Sequence, residues 1–430
     1  MRVASLYTWF TFAILGLLSC KQGVEVSGNS QAITASDSTK TLLSVLAPVA
    51  APPLGNPKFG VNTFHEDPPW NIDLDRQTGF AAVRLNAYWK FLETSHGVFT
   101  WTALDASIAR AQQQHLAVTL VLFGVPDWAG NASLVEPRCA TLPSDPMNRP
   151  QATPPANGYY GDFARALAQR YGTQIDAWEI WHEVETCDQW RGTPQAYQSQ
   201  VLVPGVTQIR SVLPSAFIIA PGSSISSWGG TSTCSINCQL QRMLDYVTVQ
   251  STTTPGTRVL AQPINAFAVH FYDVKNSVVN VLLPTLNSAA SWATFCSSCS
   301  SCAGTGSSSP ISCNPCPTCP SPFWLTEFGY GLHQRAGAAD NFNTTCSSAA
   351  IPGCGSPPLS FTISCTPGPD LVSVMEACRN TTNCQRAFVY DSRRANTCDT
   401  DFPLFNDDSS PRAAQRCVKS YLTSGSITCP

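Results

Sequence analysis

Short apolar segments alternate with amphipathic ones along most of the chain, from residue 59 to about residue 422. Apolar runs of this length that lie between turn residues are typical of buried parallel strands. They predict eight strands, at Phe59–Thr63, Ala81–Leu85, Val118–Phe123, Ala177–Trp181, Phe217–Ala220, Ala266–His270, Phe323–Thr326 and Ala387–Tyr390. The intervening segments have apolar residues at helical spacing, as in Tyr160–Tyr171 and Tyr197–Leu213. This alternation predicts an α/β protein with the (β/α)8 architecture of a TIM barrel.

Two of the predicted strands end on a carboxylate. The segment WEIWHEVE, Trp178–Glu185, carries Glu183, and the segment FWLTEFGYG, Phe323–Gly331, carries Glu327. The carboxyl ends of the strands form one face of such a barrel, and catalytic groups gather there. Two carboxylates that face one cleft are the minimum equipment for cleaving a glycosidic bond.

The same two segments resemble motifs of clan A glycoside hydrolases, most closely those of the family 39 and family 5 type. WEIWHEVE is similar to the acid/base strand, commonly written WEVWNEPN, and FWLTEFGYG to the nucleophile strand, of the form PIWITEFGW. The tail Phe402–Val418 resembles the clan's closing segment. The resemblance implies a retaining hydrolase that cleaves O-glycosidic bonds of a polysaccharide or oligosaccharide by double displacement, with Glu183 as general acid/base and Glu327 as nucleophile. It also suggests an equatorial linkage, such as β-gluco, β-manno or β-xylo.

Three further residues match positions that support catalysis in this clan. Arg84 follows the second apolar run, where an arginine pairs with the nucleophile and would keep Glu327 ionised. His270 and Tyr272 end the sixth strand in AVHFYD, which resembles the clan's HPY-like ending. A tyrosine hydroxyl there can donate a hydrogen bond to the nucleophile. An ordinary salt bridge at a strand end, or a core histidine, is the alternative interpretation of these residues.

The residue before the proposed acid/base departs from the clan pattern. The clan has asparagine there, which holds the sugar 2-hydroxyl, and this chain has His182. An imidazole can donate to or accept from a hydroxyl, so the contact can survive. A catalytically inactive carbohydrate-binding barrel is the alternative function, although retention of both carboxylates argues against it. Glu179 and Glu185 compete with Glu183 for its role, and strand alternation does not choose among the three.

Aromatic residues that follow predicted strand ends are candidates for sugar subsites, because sugar C–H faces stack on aromatic rings. They equally fit a role as lids or core plugs. These residues are Trp89, Trp128, Trp190, Trp228 and Tyr330, of which Trp128 has the best match to the clan. A third hypothesis is a metal-dependent hydrolase that uses His65, His182 and His270 as ligands. No HxH or similar cluster supports it, so we expect no metal and no cofactor.

Cysteines are concentrated in two predicted insertions on either side of the seventh strand. Cys296–Cys319 contains CSSCSSC and CNPCPTC, and Asn341–Cys365 is a second cysteine-bearing loop. The CxxCxxC spacing would permit zinc or an iron–sulfur cluster. The first insertion has no histidine, and thiols oxidise in an exported protein, so disulfides are the favoured interpretation. Their pairing cannot be deduced from the sequence.

The first twenty residues have the pattern of an export signal. Arg2 precedes a mostly apolar run, Val3–Leu18, which is too short for a spanning helix. The run ends in LLSC, similar to a bacterial lipobox, in which Cys20 would be lipidated and become the new N-terminus. An ordinary cleaved signal is the alternative. Of 19 cysteines, 18 then remain, the even number that disulfides require.

These features predict a domain organisation and a cellular location. Residues 1–20 would be a signal peptide, residues 21–57 a flexible tether rich in Ser, Thr, Ala and Pro, and residues 58–430 the hydrolase barrel. The protein would be an exported lipoprotein of the bacterial cell envelope or outer membrane, or else secreted. The net charge of −3 offers no basic patch for nucleic acid. We therefore expect a carbohydrate substrate, a membrane anchor and a monomer.

Overall fold

The computed structural model describes residues 59–64, 69–140, 152–156, 158–187, 189–224, 236–272, 278–287, 322–329, 331–332, 363–364, 367–392, 404–405 and 409–429. All of them belong to one compact unit, Ala50–Pro430. Within these ranges no helix is both long and apolar enough to cross a membrane. Cys20, His65, Trp228, Tyr330, the tether and the insertion Cys296–Cys319 lie outside the described residues, and the statements about them stay predictions.

Parallel strands form the central sheet, in the order that the sequence predicts. They are β1 Phe59–Thr63, β2 Ala82–Tyr88, β3 Ala117–Phe123, β4 Ala177–Ile180, β5 Ile218–Ile219, β6 Phe267–Phe271, β7 Phe323–Phe328 and β8 Cys384–Val389. β1 pairs with β2, β2 with β3, β3 with β4 and β4 with β5. β6 pairs with β7, β7 with β8, and β8 returns to β1.

The two ends of this sheet meet at the fifth strand, so the sheet is a closed barrel. Ile219 of β5 forms a parallel bridge to Ala266, the residue before β6. The chain beyond β5 pairs with β6 again, through Ser223 and Ser224 opposite Val269 and His270. The prediction of a (β/α)8 barrel is confirmed.

Helices alternate with the strands as expected for this architecture. They are α1 Asn71–Thr78, α2 Trp89–Leu92, α3 Thr102–Gln113, α4 Pro137–Ala140, α5 Tyr159–Tyr171, α6 Pro194–Tyr197, α7 Val203–Val212, α8 Ile236–Val247, α9 Leu283–Asn287, α10 Pro367–Asn380 and α11 Ala413–Ser424. The helix predicted at Tyr197–Leu213 is interrupted by a π-helical turn over Gln198–Leu202. A small antiparallel ribbon, Thr248–Gln250 with Arg258–Leu260, lies between α8 and β6.

Small residues line the barrel interior below the candidate site. A separate apolar cluster combines alanines of several strands with two large rings; its members are Ala82, Ala117, Ala177, Ile219, Ala266, Ala268, Trp324 and Phe388. Gly60 makes room for Phe388, because a Cβ at residue 60 would lie 2.5 Å from that ring. The rings fill the interior, so the barrel has a packed core. Polar side chains can gather only at its upper end, which the carboxyl ends of the strands form.

A bulge in β7 decides where Glu327 points. Opposite β6, Leu325 pairs with Val269 and Glu327 pairs with His270, so one residue of β7, Thr326, has no partner in the register. Strict alternation would put Trp324 and Glu327 on opposite faces of the sheet. The extra residue turns Glu327 to the same interior side as Trp324. The strand was predicted to end at Thr326, and it continues through Glu327 to Phe328.

Three disulfides occur among the described residues, and they confirm the expectation of disulfide bonds. Cys139–Cys187 joins α4 to the loop that follows β4, Cys378–Cys384 joins α10 to β8, and Cys417–Cys429 ties down the C-terminal segment. Cys187 lies four residues after Glu183, so the first bond restrains the loop that carries the proposed acid/base.

We predict that the Cys139–Cys187 bond contributes more stability than the Cys378–Cys384 bond. They close loops of 48 and 6 residues, and the loss of loop entropy corresponds to about 4 and about 2 kcal/mol respectively. Double alanine variants of each pair, compared with wild type by reversible chemical denaturation, measure both contributions. An equal loss in the two variants, or a larger loss for the short loop, would contradict the prediction.

Candidate active site

Arg84 occupies the centre of the polar cluster at the upper end of the barrel. Its Nε and Nη2 donate to the two carboxylate oxygens of Glu179, at 2.7 and 2.8 Å, and its Nη1 donates to Glu327 Oε1 at 2.6 Å. Nη1 also donates to Asn62 Oδ1 at 2.6 Å. Burial alone would lower the pKa of Arg84, but the two carboxylates outweigh this effect and raise the pKa above its ordinary value. The guanidinium is therefore a permanent buried cation.

Glu327 is held by donors on both of its oxygens. Besides the bond from Arg84 to Oε1, the Tyr272 hydroxyl donates to Oε2 at 2.5 Å. Burial raises the pKa of Tyr272, and the neighbouring Glu327 adds to the shift, so the hydroxyl keeps its proton. Hydrogen bonds of this kind favour the charged form of a carboxylate. The contacts expected of Arg84 and Tyr272 with Glu327 are both present.

Glu183 sits on a sharp turn after β4. Trp181 and Glu183 both have positive φ, at 81° and 43°, so strand geometry ends at Ile180. The Glu183 backbone N–H donates to Gly222 O at 2.7 Å, and the side chain is partly exposed. One oxygen of Glu183 and one of Glu327 lie within 4.8 Å of each other. The two carboxylates therefore converge from β4 and β7 on one cleft.

His270 connects the two halves of the site as a neutral ring. Its Nδ1 lies 3.0 Å from Glu183 Oε1, and its Nε2 lies 3.5 Å from the Arg84 Nη2 donor. Burial is the main cause that lowers the pKa of His270 to about 3. The Glu327 charge raises this pKa, and the Arg84 charge lowers it further. A neutral ring whose Nε2 faces an N–H donor carries its proton on Nδ1, from which it donates to Glu183.

Only a glycine fits beside His270. A Cβ at Gly222 would lie 2.0 Å from His270 Nε2 and 2.8 Å from Glu179 Oε1. The backbone N–H of Gly222 instead donates to Glu179 Oε1 at 3.0 Å. The close approach of this backbone allows both side chains to occupy the interior, and no sequence pattern predicts it.

His182 lies at the mouth of the cleft between the two carboxylates. Its Nδ1 is 3.6 Å from Glu327 Oε1 and 3.4 Å from Arg84 Nη2, and its Nε2 is 3.9 Å from Glu183 Oε2. The ring is partly exposed. The ring therefore lies between the two carboxylates and beside the guanidinium.

The two competing carboxylates have other partners. Glu179 is fully buried and forms the two-bond ion pair with Arg84. Glu185 turns toward the end of β5, where its Oε1 accepts a hydrogen bond from the Ser224 N–H, and its Oε2 is buried without a partner. Burial raises the pKa of Glu185 to about 8, and the charge of Glu183 adds to the shift. Of the three, Glu183 has a partly exposed side chain and an oxygen within 4.8 Å of a Glu327 oxygen.

The predicted aromatic subsites need correction. Trp89 is fully buried, stacks on Phe163 with ring centroids 5.2 Å apart, and donates to Glu93, so it presents no face to a sugar. Trp190 is also fully buried. Trp128 is partly buried, and its Nε1 donates to the Glu93 carbonyl at 2.9 Å. Sequence placed Trp89 correctly after a strand end but could not show which side of the short helix α2 faces inward.

Four side chains could in principle ligate a metal. One atom each of His182, Glu183, His270 and Glu327 lies within 4.8 Å of the others. The Arg84 guanidinium contacts both imidazoles and Glu327 and already supplies the positive charge of this cluster. A fixed cation opposes the binding of a second one at such short range. This arrangement is an ion-pair network, and it does not favour the metal-dependent hydrolase.

Comparison of the sequence with models of protein families and with curated proteins finds no match. The fold, in contrast, matches solved structures of glycosidases. A monomeric β-xylosidase from Caulobacter crescentus CB15 is 11% identical with a TM-score of 0.51, over 85% of this chain and 68% of that chain. An enzyme of glycoside hydrolase family 39 from Xanthomonas axonopodis pv. citri is 12% identical with a TM-score of 0.51, over 84% and 65%. The chain therefore shares the barrel fold of these two glycoside hydrolases.

The chain spans about two thirds of the length of these solved structures. It spans 68% and 65% of the two enzymes above. It spans 63% of a family 39 glycoside hydrolase from Bacteroides cellulosilyticus WH2, which is 13% identical with a TM-score of 0.48 over 85% of this chain.

We predict that Glu185→Gln stabilises the protein above neutral pH. The folded state holds the Glu185 proton up to a pKa of about 8, against an ordinary value of 4.5, so wild type loses stability as pH rises between these values. The glutamine cannot ionise, so its advantage should be small near pH 4 and largest above pH 8. Urea denaturation of both proteins across this range measures it.

Glu376→Gln is the matched control. The hydrogen bond from Tyr421 lowers the pKa of Glu376, so the effect of pH on stability has the opposite sign. Glu376→Gln should lose stability relative to wild type as pH rises through the carboxyl range. Parallel pH profiles for wild type and Glu185→Gln would show that Glu185 ionises normally.

Proposed function

We propose that this protein is a retaining glycoside hydrolase that cleaves O-glycosidic bonds of an oligosaccharide or polysaccharide by double displacement. The approach of one oxygen of Glu183 and one oxygen of Glu327 to within 4.8 Å carries the proposal. Retaining enzymes place their carboxyl groups about 5–5.5 Å apart, whereas inverting enzymes need roughly 6.5–9.5 Å to admit a water molecule. The short separation supports direct attack by one carboxylate on the sugar.

The surroundings of the two carboxylates support different roles. Arg84 and Tyr272 donate to Glu327, and these hydrogen bonds orient it as the nucleophile. Glu183 is partly exposed and meets the neutral His270, so no full charge of that ring holds it ionised. A carboxyl in this setting can carry a proton for the leaving group.

The reaction then proceeds in two balanced steps. Glu327 attacks the anomeric carbon, the bond to the leaving oxygen breaks, and the Glu183 proton passes to that oxygen. In the second step Glu183 takes a proton from water, and the water oxygen displaces Glu327 from the anomeric carbon. Glu183 is protonated again at the end, and Glu327 is again a carboxylate.

A catalytically inactive carbohydrate-binding barrel is the alternative, motivated by His182 in place of asparagine. The retained Arg84–Glu327 ion pair and the close approach of both carboxylates favour the enzyme. Turnover of aryl glycosides distinguishes the two, since the alternative gives binding without cleavage.

We further propose that the protein is exported and anchored through a lipid on Cys20, and that it acts as a monomer on carbohydrate outside the cytoplasm. The lipobox-like LLSC supports the anchor. The three described disulfides support an oxidising compartment.

Substitution of the two carboxylates should separate their roles. Glu327→Ala should abolish turnover of every substrate, because the covalent intermediate cannot form. Glu183→Ala should lose about 10²–10⁴-fold on substrates with poor leaving groups and much less on activated aryl glycosides, which need no proton.

Glu376→Ala, on the outer helix α10, is the control and should leave kcat/KM unchanged on both substrates. Equal losses on activated and unactivated substrates in both active-site variants would reject the assignment of roles.

His182 should hold the sugar hydroxyl next to the anomeric carbon. That hydrogen bond strengthens as the transition state forms, so His182→Ala should lose roughly 2–4 kcal/mol of transition-state stabilisation, and His182→Asn should retain much of the activity. The measurement is kcat/KM on a substrate and on its 2-deoxy analogue. If the alanine variant loses as much on the analogue as on the parent sugar, His182 has only a structural role.

A further inference from the structure

A row of aromatic rings leads from the catalytic centre to the protein surface. The rings of His182 and Phe123 have centroids 5.1 Å apart, those of Phe123 and Tyr88 4.5 Å, and those of Tyr88 and Phe91 5.9 Å. Tyr88 and Phe123 are the last residues of neighbouring strands and face each other in the register. The row therefore follows the carboxyl ends of β4, β3 and β2 along the face that carries Glu183.

Exposure increases along this row. Phe123 is buried, Tyr88 is partly buried, and Phe91 is 46% exposed. The helix α2 buries Trp89 and Leu92 on its other side, so packing does not require Phe91. Phe91 is one of few large apolar side chains that are exposed in the described part of the chain. Exposed apolar surface beside a cleft is typical of a binding site.

The row also offers polar groups beside the rings. The Asn86 amide donates to the Tyr88 hydroxyl at 3.3 Å. Lys90 on α2 and Asp127 after β3 form an exposed ion pair with a length of 3.3 Å. Apolar ring faces with hydroxyl, amide and charged groups at their edge match a sugar, which has C–H faces and a rim of hydroxyls. Continuity with His182 favours the glycan that is being cleaved over a separate partner.

We propose that Tyr88 and Phe91 form a subsite for further sugar units of the substrate, next to the unit that lies at His182. The inference rests on the proposed function and narrows it, because the substrate is then an extended glycan and not a single glycoside. Sugar rings pack on the Phe91 and Tyr88 faces, and Phe123 supports the Tyr88 ring from below.

The test compares short and long substrates of the same sugar. The probes are an aryl monoglycoside and β-linked glucan, xylan and mannan oligosaccharides from the disaccharide to the hexasaccharide. For Phe91→Ala, the ratio of kcat/KM on the hexasaccharide to kcat/KM on the monoglycoside should fall about threefold to tenfold, the value of one aromatic contact. Phe91→Trp keeps a ring and should keep the wild-type ratio.

Val249→Ala is the matched control. Val249 is also exposed, at 39%, but lies on the antiparallel ribbon before β6, at the opposite end of the barrel. This variant should leave both rates unchanged. An unchanged ratio in Phe91→Ala, or an equal loss on short and long substrates, overturns the subsite.

Failure of the proposed function gives a different result. If wild type cleaves none of the probes, the hydrolase proposal fails, and the subsite is then tested by calorimetric binding of the same hexasaccharides. Weaker binding by Phe91→Ala than by wild type or Val249→Ala supports the subsite even so. Absence of wild-type binding to every hexasaccharide overturns it.

Discussion

The buried cation Arg84 is the interaction on which the remainder of the site depends. It reaches carboxylates on β4 and β7 and an amide on β1, so four strands meet at one guanidinium. Loss of one partner from a buried ion pair costs about 3–5 kcal/mol, because the other charge stays buried and uncompensated. The position of Glu327, the burial of Glu179 and the proton position on His270 therefore all follow from this single charge.

The same charge makes the two proposed catalytic groups unequal. Glu327 contacts the guanidinium directly, whereas Glu183 is separated from it by the neutral ring of His270. Interactions between charges weaken with distance and with exposure to water, so the cation interacts more strongly with Glu327 than with Glu183. One buried arginine thus allows two identical side chains to differ in their chemistry.

Sequence predicted the barrel, the two carboxylates and the arginine because each depends on local pattern. It missed the bulge at Thr326, since register depends on the neighbouring strand and not on the strand itself. It named Trp89 as a candidate platform and did not include Phe91, because a helix of four residues has too little periodicity to show which side faces inward. Gly222 was missed because only the folded site shows how closely His270 approaches its backbone.

The closure of the barrel at β5 has a consequence for motion within the site. β5 has two residues, whereas β2 and β3 have seven each. The seam of the barrel, where β5 meets β6, therefore has the fewest hydrogen bonds to break on local opening. The Glu183 backbone N–H donates to Gly222 beside this seam. Glu327 lies on β7, which pairs with both β6 and β8. The proposed nucleophile therefore lies on the side of the barrel with the more extensive strand pairing, and the proposed acid/base lies beside the seam with the fewest strand hydrogen bonds.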